Sequence, residues 1–151
     1  MQGKIHTVTS VSQSITELLL LADPDLHKIN SYLPHSQIWV YELKSNSVGV
    51  CAIKTTQTTA EIMNLAVSPD YQGQGIGHQL IQHVIETLPD QGISQLIVKT
   101  GNSSLPAIRL YEKSGFTLMD TIQGYFVKHY PDPIYENGIQ CVDQLVFEKA
   151  L

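Results

Sequence analysis

The chain has 151 residues, 42% of them hydrophobic and 15% charged, with a formal net charge of −5. That length suits one domain with a single sizeable core, and the composition is globular, which excludes an extended disordered chain. Nine Lys and Arg against fourteen Asp and Glu, with no basic run, leave no face suited to a nucleic-acid backbone.

A short strand over residues 5–9 leads into a helix over 12–22, where Ile15, Leu18, Leu19 and Ala22 recur at helical spacing. Asp23-Pro24 ends it, and residues 25–33 form a second short helix. Residues 38–44 and 48–55 are rich in β-branched and aromatic side chains and flank Ser45-Asn46 as a hairpin. A third strand covers 60–67. Residues 76–88 form an amphipathic helix, with Ile76, Leu80, Ile81, Val84, Ile85 and Leu88 on one face. Leu96-Ile97-Val98 marks a strand over 93–99 buried on both faces. Ser104 is placed to cap the next helix, with Pro106 in its first turn and Gly115 closing it. Two last strands are expected over 116–129 and 139–149, joined by a long loop holding Pro131 and Pro133. The order βααβββαβαββ describes one α/β domain over residues 1–151, a mixed sheet with helices on both faces.

Cys51 and Cys141 each sit in an apolar run, away from any CxxC pair or Cys/His cluster, so no metal site is expected. The longest apolar stretch, residues 18–22, is too short to span a bilayer. The first ten residues lack a secretory pattern, so a cytoplasmic protein without a membrane partner is expected.

Residues 72 to 77 read Gln72-Gly73-Gln74-Gly75-Ile76-Gly77, directly after a strand and opening a helix. Backbone N–H groups converge there at the positive end of the helix dipole, and glycine lets a ligand come close, which suits a pyrophosphate. A P-loop would need Gly-Lys-Ser/Thr, and no lysine lies between Lys54 and Lys99. The dinucleotide pattern Gly-x-Gly-x-x-Gly fails because Gly73, Gly75 and Gly77 alternate. The stretch from Leu65 to Gly77 resembles the acetyl-CoA-binding segment of the GNAT acetyltransferases, with its Gln/Arg-x-x-Gly-x-Gly core. Leu110-Tyr111-Glu112-Lys113-Ser114-Gly115-Phe116 is similar to the second signature of the same superfamily, and the element order between them agrees.

The resemblance implies an enzyme that moves acetyl from acetyl-CoA, its cosubstrate, to a primary amine by direct attack through a tetrahedral intermediate. It implies a splayed central parallel strand pair, with the pantetheine arm between Asn64–Val67 and the strand at Ile97–Lys99. Backbone N–H groups of Gln72, Gly73, Gln74, Gly75, Ile76, Gly77 and His78 would hold the pyrophosphate. A backbone N–H near Leu65 or Ala66, with Val67 following, would face the oxyanion. Asn102 is a candidate contact to the arm, although the family asparagine commonly sits seven residues before the tyrosine, where this chain has Ser104. Tyr111 matches the tyrosine that protonates the departing thiolate; packing beneath Phe116 is the structural alternative. Glu61, Asp143 or a water relay are the candidates for the base.

The acceptor would sit beside the loop between the last two strands, against Tyr125, Tyr130, Tyr135 and Glu136, where aromatic walls and acidic groups suit a cationic amine. A small-molecule or peptide amine is the expected acceptor. A protein N-terminus and a non-catalytic acyl-CoA-binding module are the alternatives, and a homodimer is compatible with the last strand. His78 and His83 are expected on the solvent side of their helix, without catalytic roles, and Cys51 is expected to be buried and inert.

Overall fold

The structure is a computed structural model that describes residues 3–151. Strand β1 (Lys4–Val8) precedes two capped helices. Ser12 Oγ accepts from the Ile15 N–H at the head of α1 (Gln13–Ala22), and the Asp25 carboxylate accepts from the His27 and Lys28 N–H groups at the head of α2 (Leu26–Tyr32). A meander of β2 (Ser36–Leu43), β3 (Asn46–Thr56) and β4 (Thr59–Val67) follows. The β2–β3 turn is built on Lys44 and Ser45, both with positive φ, one residue earlier than Ser45-Asn46. Then come α3 (Ile76–Thr87), β5 (Gln95–Gly101) and α4 (Leu105–Lys113).

The seven-stranded sheet runs β1-β2-β3-β4-β5-β9-β6, with β6 at Thr117–Ile122 and β9 at Gln144–Ala150. Side chains alternate across it and feed two apolar cores. Val50 and Ala52 of β3 pack with Leu19, Ile29 and Val40 beneath α1 and α2; Cys51 and Ile53 pack with Leu80, Ile81, Val84 and Tyr111 beneath α3 and α4. Each fully buried Leu or Ile here contributes on the order of 1.5–3 kcal/mol of transfer free energy.

The parallel pair is short. Strands β4 and β5 pair only from Thr59↔Gln95 to Ile62↔Val98. Beyond that, β4 continues to Val67 paired with β3 alone, and β5 continues to Gly101 paired with β9 alone. The register of β3 against β4 jumps from Ala52↔Asn64 to Ile53↔Ile62, so Met63 is an extra residue on β4. Such a bulge bends its strand, and this one sits where β4 leaves β5. The flank opposite Asn64–Val67 is therefore Lys99–Gly101; Ile97 and Val98 are still paired with Glu61 and Ile62.

The chain after Ile122 departs from a simple strand-loop-strand. Gly124, with φ of 68°, opens a short helix α5 (Tyr125–His129), and β7 (Ile134–Glu136) pairs with β8 (Ile139–Cys141) as a separate hairpin. The expected last strand is thus cut in two at Val142-Asp143. Asn102 explains the cut. Its Oδ1 accepts from both the Val142 N–H (2.8 Å) and the Asp143 N–H (3.0 Å), withdrawing both donors from any ladder. Among the described residues, no helix is long and apolar enough to cross a membrane.

Candidate active site

The loop between β4 and α3 presents backbone, not side chains. Gly73 (φ 77°) and Gly75 (φ 84°) adopt the left-handed conformation, and a Cβ at either would meet only open space. These two glycines are there for backbone geometry. Gly75 is the N-cap of α3 and offers no capping side chain, and the first turn carries no acidic residue. The opening N–H groups at Ile76, Gly77 and His78 therefore remain available at the positive end of the helix. Gln72 ties the loop down by donating from Nε2 to the Val67 carbonyl (2.9 Å). Gly77 differs: a Cβ there would come within 3.2 Å of Leu110 Cδ2, so this glycine lets α3 approach α4. His78 is half-buried, with Nδ1 3.2 Å from Ser114 Oγ at the end of α4. His83 stacks edge-on against buried Trp39, at 5.1 Å between ring centroids. Neither histidine stands free in solvent, because both are used to pack α3.

Where β4 and β5 part, they leave a cavity of about 490 Å³ lined by Asn64, Leu65, Lys99, Thr100, Ala107 and Tyr111, among others. Tyr111 is 6% exposed and packs edge-on against Phe116 (5.7 Å) and beside Phe147, so it belongs to the core as well as to the cavity wall. Burial, and to a smaller extent the neighbouring Cys51 thiol, raise the Tyr111 pKa well above that of a free phenol. Cys51 itself is fully buried, and burial pushes its thiol up to about 12, which leaves it inert at neutral pH. Ala66 turns to the opposite core beneath α1, and Val67 receives the Gln72 bond; neither lines this cavity.

The carboxylates separate by their partners. Glu61 lies half-buried on β4, with Oε1 3.6 Å from Lys99 Nζ of β5, and lines a second cavity that adjoins the first. Asp143 does not share an apolar strand face. It occupies the break between β8 and β9, and its Oδ1 accepts from the Gly124 N–H (2.9 Å) at the head of α5, away from both cavities. Asn102 is likewise engaged in structure: besides the two bonds described, its Nδ2 donates to the Gln140 carbonyl (3.2 Å). These three bonds use the Oδ1 twice and one of the two Nδ2 hydrogens. Ser104 makes no side-chain cap on α4, because its hydroxyl turns to Glu136 instead.

The second cavity, about 730 Å³, shares Ile62, Met63, Asn64, Lys99, Ser104 and Glu136 with the first. Tyr125, Phe126 and Tyr130 form one wall, with Phe126 and Tyr130 stacked at 5.7 Å, and α2 supplies the other through Lys28 and Tyr32. The β7–β8 hairpin is latched over this junction. Glu136 Oε1 accepts from the Ser103 hydroxyl (3.1 Å) and the Ser104 hydroxyl (3.0 Å), and Asn137 Nδ2 donates to the Ser103 carbonyl. Tyr135 points away, at 65% exposed, and lines neither cavity, since alternation along β7 puts it opposite Glu136. Tyr32 and Lys28 line the second cavity without having been singled out in the sequence, and Asn64, expected only as the start of the arm-binding stretch, lines both. Asn64 Nδ2 donates to the Leu19 carbonyl and to the Tyr32 hydroxyl, which joins β4 to both early helices.

The family model for the Acetyltransferase (GNAT) family matches residues 11–116. The chain belongs to the GNAT acetyltransferase family. Over 143 residues, 94% of this chain and 92% of the relative, it is 34% identical to the uncharacterized N-acetyltransferase YvbK of Bacillus subtilis (strain 168). A GNAT family acetyltransferase from Elizabethkingia anophelis, solved with acetyl-CoA bound, superimposes with a TM-score of 0.92 at 35% identity, over 99% of this chain and 98% of that one. A Bacillus subtilis acetyltransferase in complex with CoA superimposes at 0.95 with 32% identity, over 99% of each chain.

The chain is thus an acetyl-CoA-dependent N-acetyltransferase, and its own residues fit the cosubstrate. Unpartnered N–H groups with no competing acid suit the pyrophosphate. The unpaired edges of β4 beyond Ile62 and of β5 beyond Val98 suit an extended amide-containing arm. When bound, acetyl-CoA supplies the activated acyl group to this GNAT site.

Proposed function

We propose that this GNAT enzyme acetylates the amine of a small molecule by direct attack of the acceptor nitrogen on the thioester carbonyl. One observation carries the reading: two cavities meet at a common wall, with Tyr111 in one and an aromatic-walled, partly open chamber in the other. The nitrogen forms the new C–N bond, the C–S bond breaks, and the sulfur leaves as a thiolate that must be protonated. Tyr111 is the donor, and the second proton shed by the acylated nitrogen as the amide forms restores its hydroxyl. Its burial keeps the phenol protonated throughout the neutral range, which opposes a base, and its place on the cavity wall puts the hydroxyl beside the expected sulfur. A free alkylammonium titrates near ~10, so the nitrogen must lose a proton before attack. Glu61, on the acceptor-cavity wall, or water beside it, receives that proton. Asp143 is assigned instead to holding α5, because its carboxylate is bonded to Gly124. The β4 backbone at Leu65 or Ala66 supplies the N–H that faces the oxyanion.

The latched hairpin favours a small acceptor over a protein chain, and a chamber of this size lies within the ordinary range for small ligands, roughly 300–1,000 Å³. The test is CoA release from acetyl-CoA measured with a panel of small amines and, separately, with peptides offering free N-termini. Turnover confined to the small amines supports the assignment. Turnover confined to longer peptides would reverse it, and release with neither would place the acceptor outside both classes.

A further inference from the structure

One end of the acceptor cavity carries a feature that a site for simple cationic amines does not need. Lys28 and Tyr32 stand four residues apart on α2, on one face of the helix, and both line the cavity. The Lys28 ammonium donates to the Tyr130 hydroxyl across the chamber, at 3.4 Å. Tyr130 is held by its stacking on Phe126. Tyr32 is 4% exposed, and its hydroxyl already accepts from Asn64 Nδ2 at 3.0 Å. Each phenol oxygen is thus used as an acceptor, which leaves each phenol O–H free to donate.

The charges in the chamber divide unevenly. Lys99 is paired with Glu61. Glu136 is occupied by two serine hydroxyls, and Asp23 Oδ1 accepts from the Asp25 N–H. Among the described residues, Lys28 has no carboxylate within ion-pair distance. Burial pulls its pKa down, but Tyr130, Asp23 and Tyr125 outweigh that effect and leave it above the ordinary lysine value, so the cation persists. Burial likewise keeps the Tyr32 phenol protonated.

We infer that Lys28, Tyr32 and Tyr130 form a carboxylate-binding subsite, and that the acceptor is an amine carrying a carboxylate, of the amino-acid class. One ammonium and two neutral hydroxyl donors match a monoanion. A phosphate dianion would leave charge unmatched beside Glu61, Glu136 and Asp23. The arrangement also orients the acceptor. Its acid end is held at α2, and its nitrogen lies at the wall shared with the Tyr111 cavity, where Asn64, Lys99 and Glu136 line both. The inference rests on the amine-acetyltransferase reading above and narrows its substrate class.

The experiment measures CoA release with proteinogenic amino acids and with the matching amino-acid amides, which keep size and amine but lose the negative charge. The acids should exceed their amides about 10-fold or more in kcat/KM, the size expected for a hydrogen-bonded charge pair. Lys28→Met should bring that ratio close to one, acting through KM, and Lys28→Arg should retain most of it. Tyr130→Phe should reduce the ratio by a few-fold. Equal rates for acids and amides in the unaltered enzyme, or a Lys28→Met enzyme that keeps the ratio, would overturn the subsite while leaving the transferase intact. Release with the small-amine panel but with neither amino acids nor their amides would overturn the subsite and leave the transferase, and release with no small amine at all would remove the small-acceptor reading on which it rests.

Discussion

The donor side and the acceptor side of this site are built by different means. The donor side is mostly backbone: two glycines with positive φ, the first turn of α3, and two strands that stop pairing after Ile62 and Val98. The acceptor side is mostly side chains brought together from distant parts of the chain. Glu136 meets Ser103 and Ser104, Asn102 meets Val142 and Asp143, and Lys28 meets Tyr130. A constant cosubstrate can be held by local backbone geometry, whereas a particular acceptor needs particular side chains in register. Changes on the donor side should therefore alter cosubstrate affinity and turnover for every amine, and changes on the acceptor side should alter selectivity and stability.

The largest expected effect is at the boundary between the two. Tyr111→Phe keeps the ring that packs on Phe116 and Phe147 but removes the proton donor. It should lower kcat by about 10²-fold or more while leaving acetyl-CoA affinity, measured by titration calorimetry, nearly unchanged. An undiminished kcat would move the acid elsewhere. Next is Gly75→Ala, which places a Cβ on a backbone with φ of 84°. A strain of ~1–2 kcal/mol should lower stability by that amount if the loop keeps its conformation, or, if the free loop relaxes, weaken acetyl-CoA binding by up to about 5- to 30-fold. Equal affinity together with an unchanged Tm would show that the loop is not held in its observed conformation when the cosubstrate binds.

Asn102→Ala tests the acceptor side. Two backbone donors and one carbonyl lose their partner, for a loss of ~1–3 kcal/mol in stability and a fall of several degrees in Tm. The acceptor KM should rise while the acetyl-CoA Kd holds, and a change in Kd instead would show that the two sides are not separable. The smallest effect is pH dependence. Burial raises the folded-state pKa of Cys51 to about 12 from 9.0, and raises Tyr111 from 10.0. The unfolded chain loses these protons first as pH rises, so stability is fully present below pH 9.0 and declines through the alkaline range. Urea midpoints taken on either side of that value should show the decline, and Cys51→Ala should lessen its early part.

The same contrast governs what could be read from sequence. The glycine loop, α3 and the Tyr111 helix end were legible because their signals are local: turn residues, a 3.6-residue period, a left-handed glycine at 115. The C-terminal third was not. Residues 116–129 look like one strand, but only Thr117–Ile122 pairs, and Gly124 with Asp143 turns the remainder into α5. The hairpin signal was present in Asn137-Gly138, both with positive φ, between short alternating runs. The two prolines before it masked it as a loop. Asn102 reads in the sequence as a contact to the cosubstrate arm, but its observed partners lie about forty residues downstream, and no local pattern announces a contact at that range.

The approach of Gly77 to Leu110 has a consequence for measurement within the enzyme. Gly77 belongs to the turn proposed to meet one end of an extended cosubstrate, and Leu110 immediately precedes Tyr111, proposed to meet the other. With no Cβ between them, the two helices touch directly, and His78 with Ser114 adds a second point of contact. The pair acts as a calliper. Its opening is set by packing rather than by loop conformation, so under the proposed placement an arm of fixed length would deliver its sulfur to the same place at each turnover.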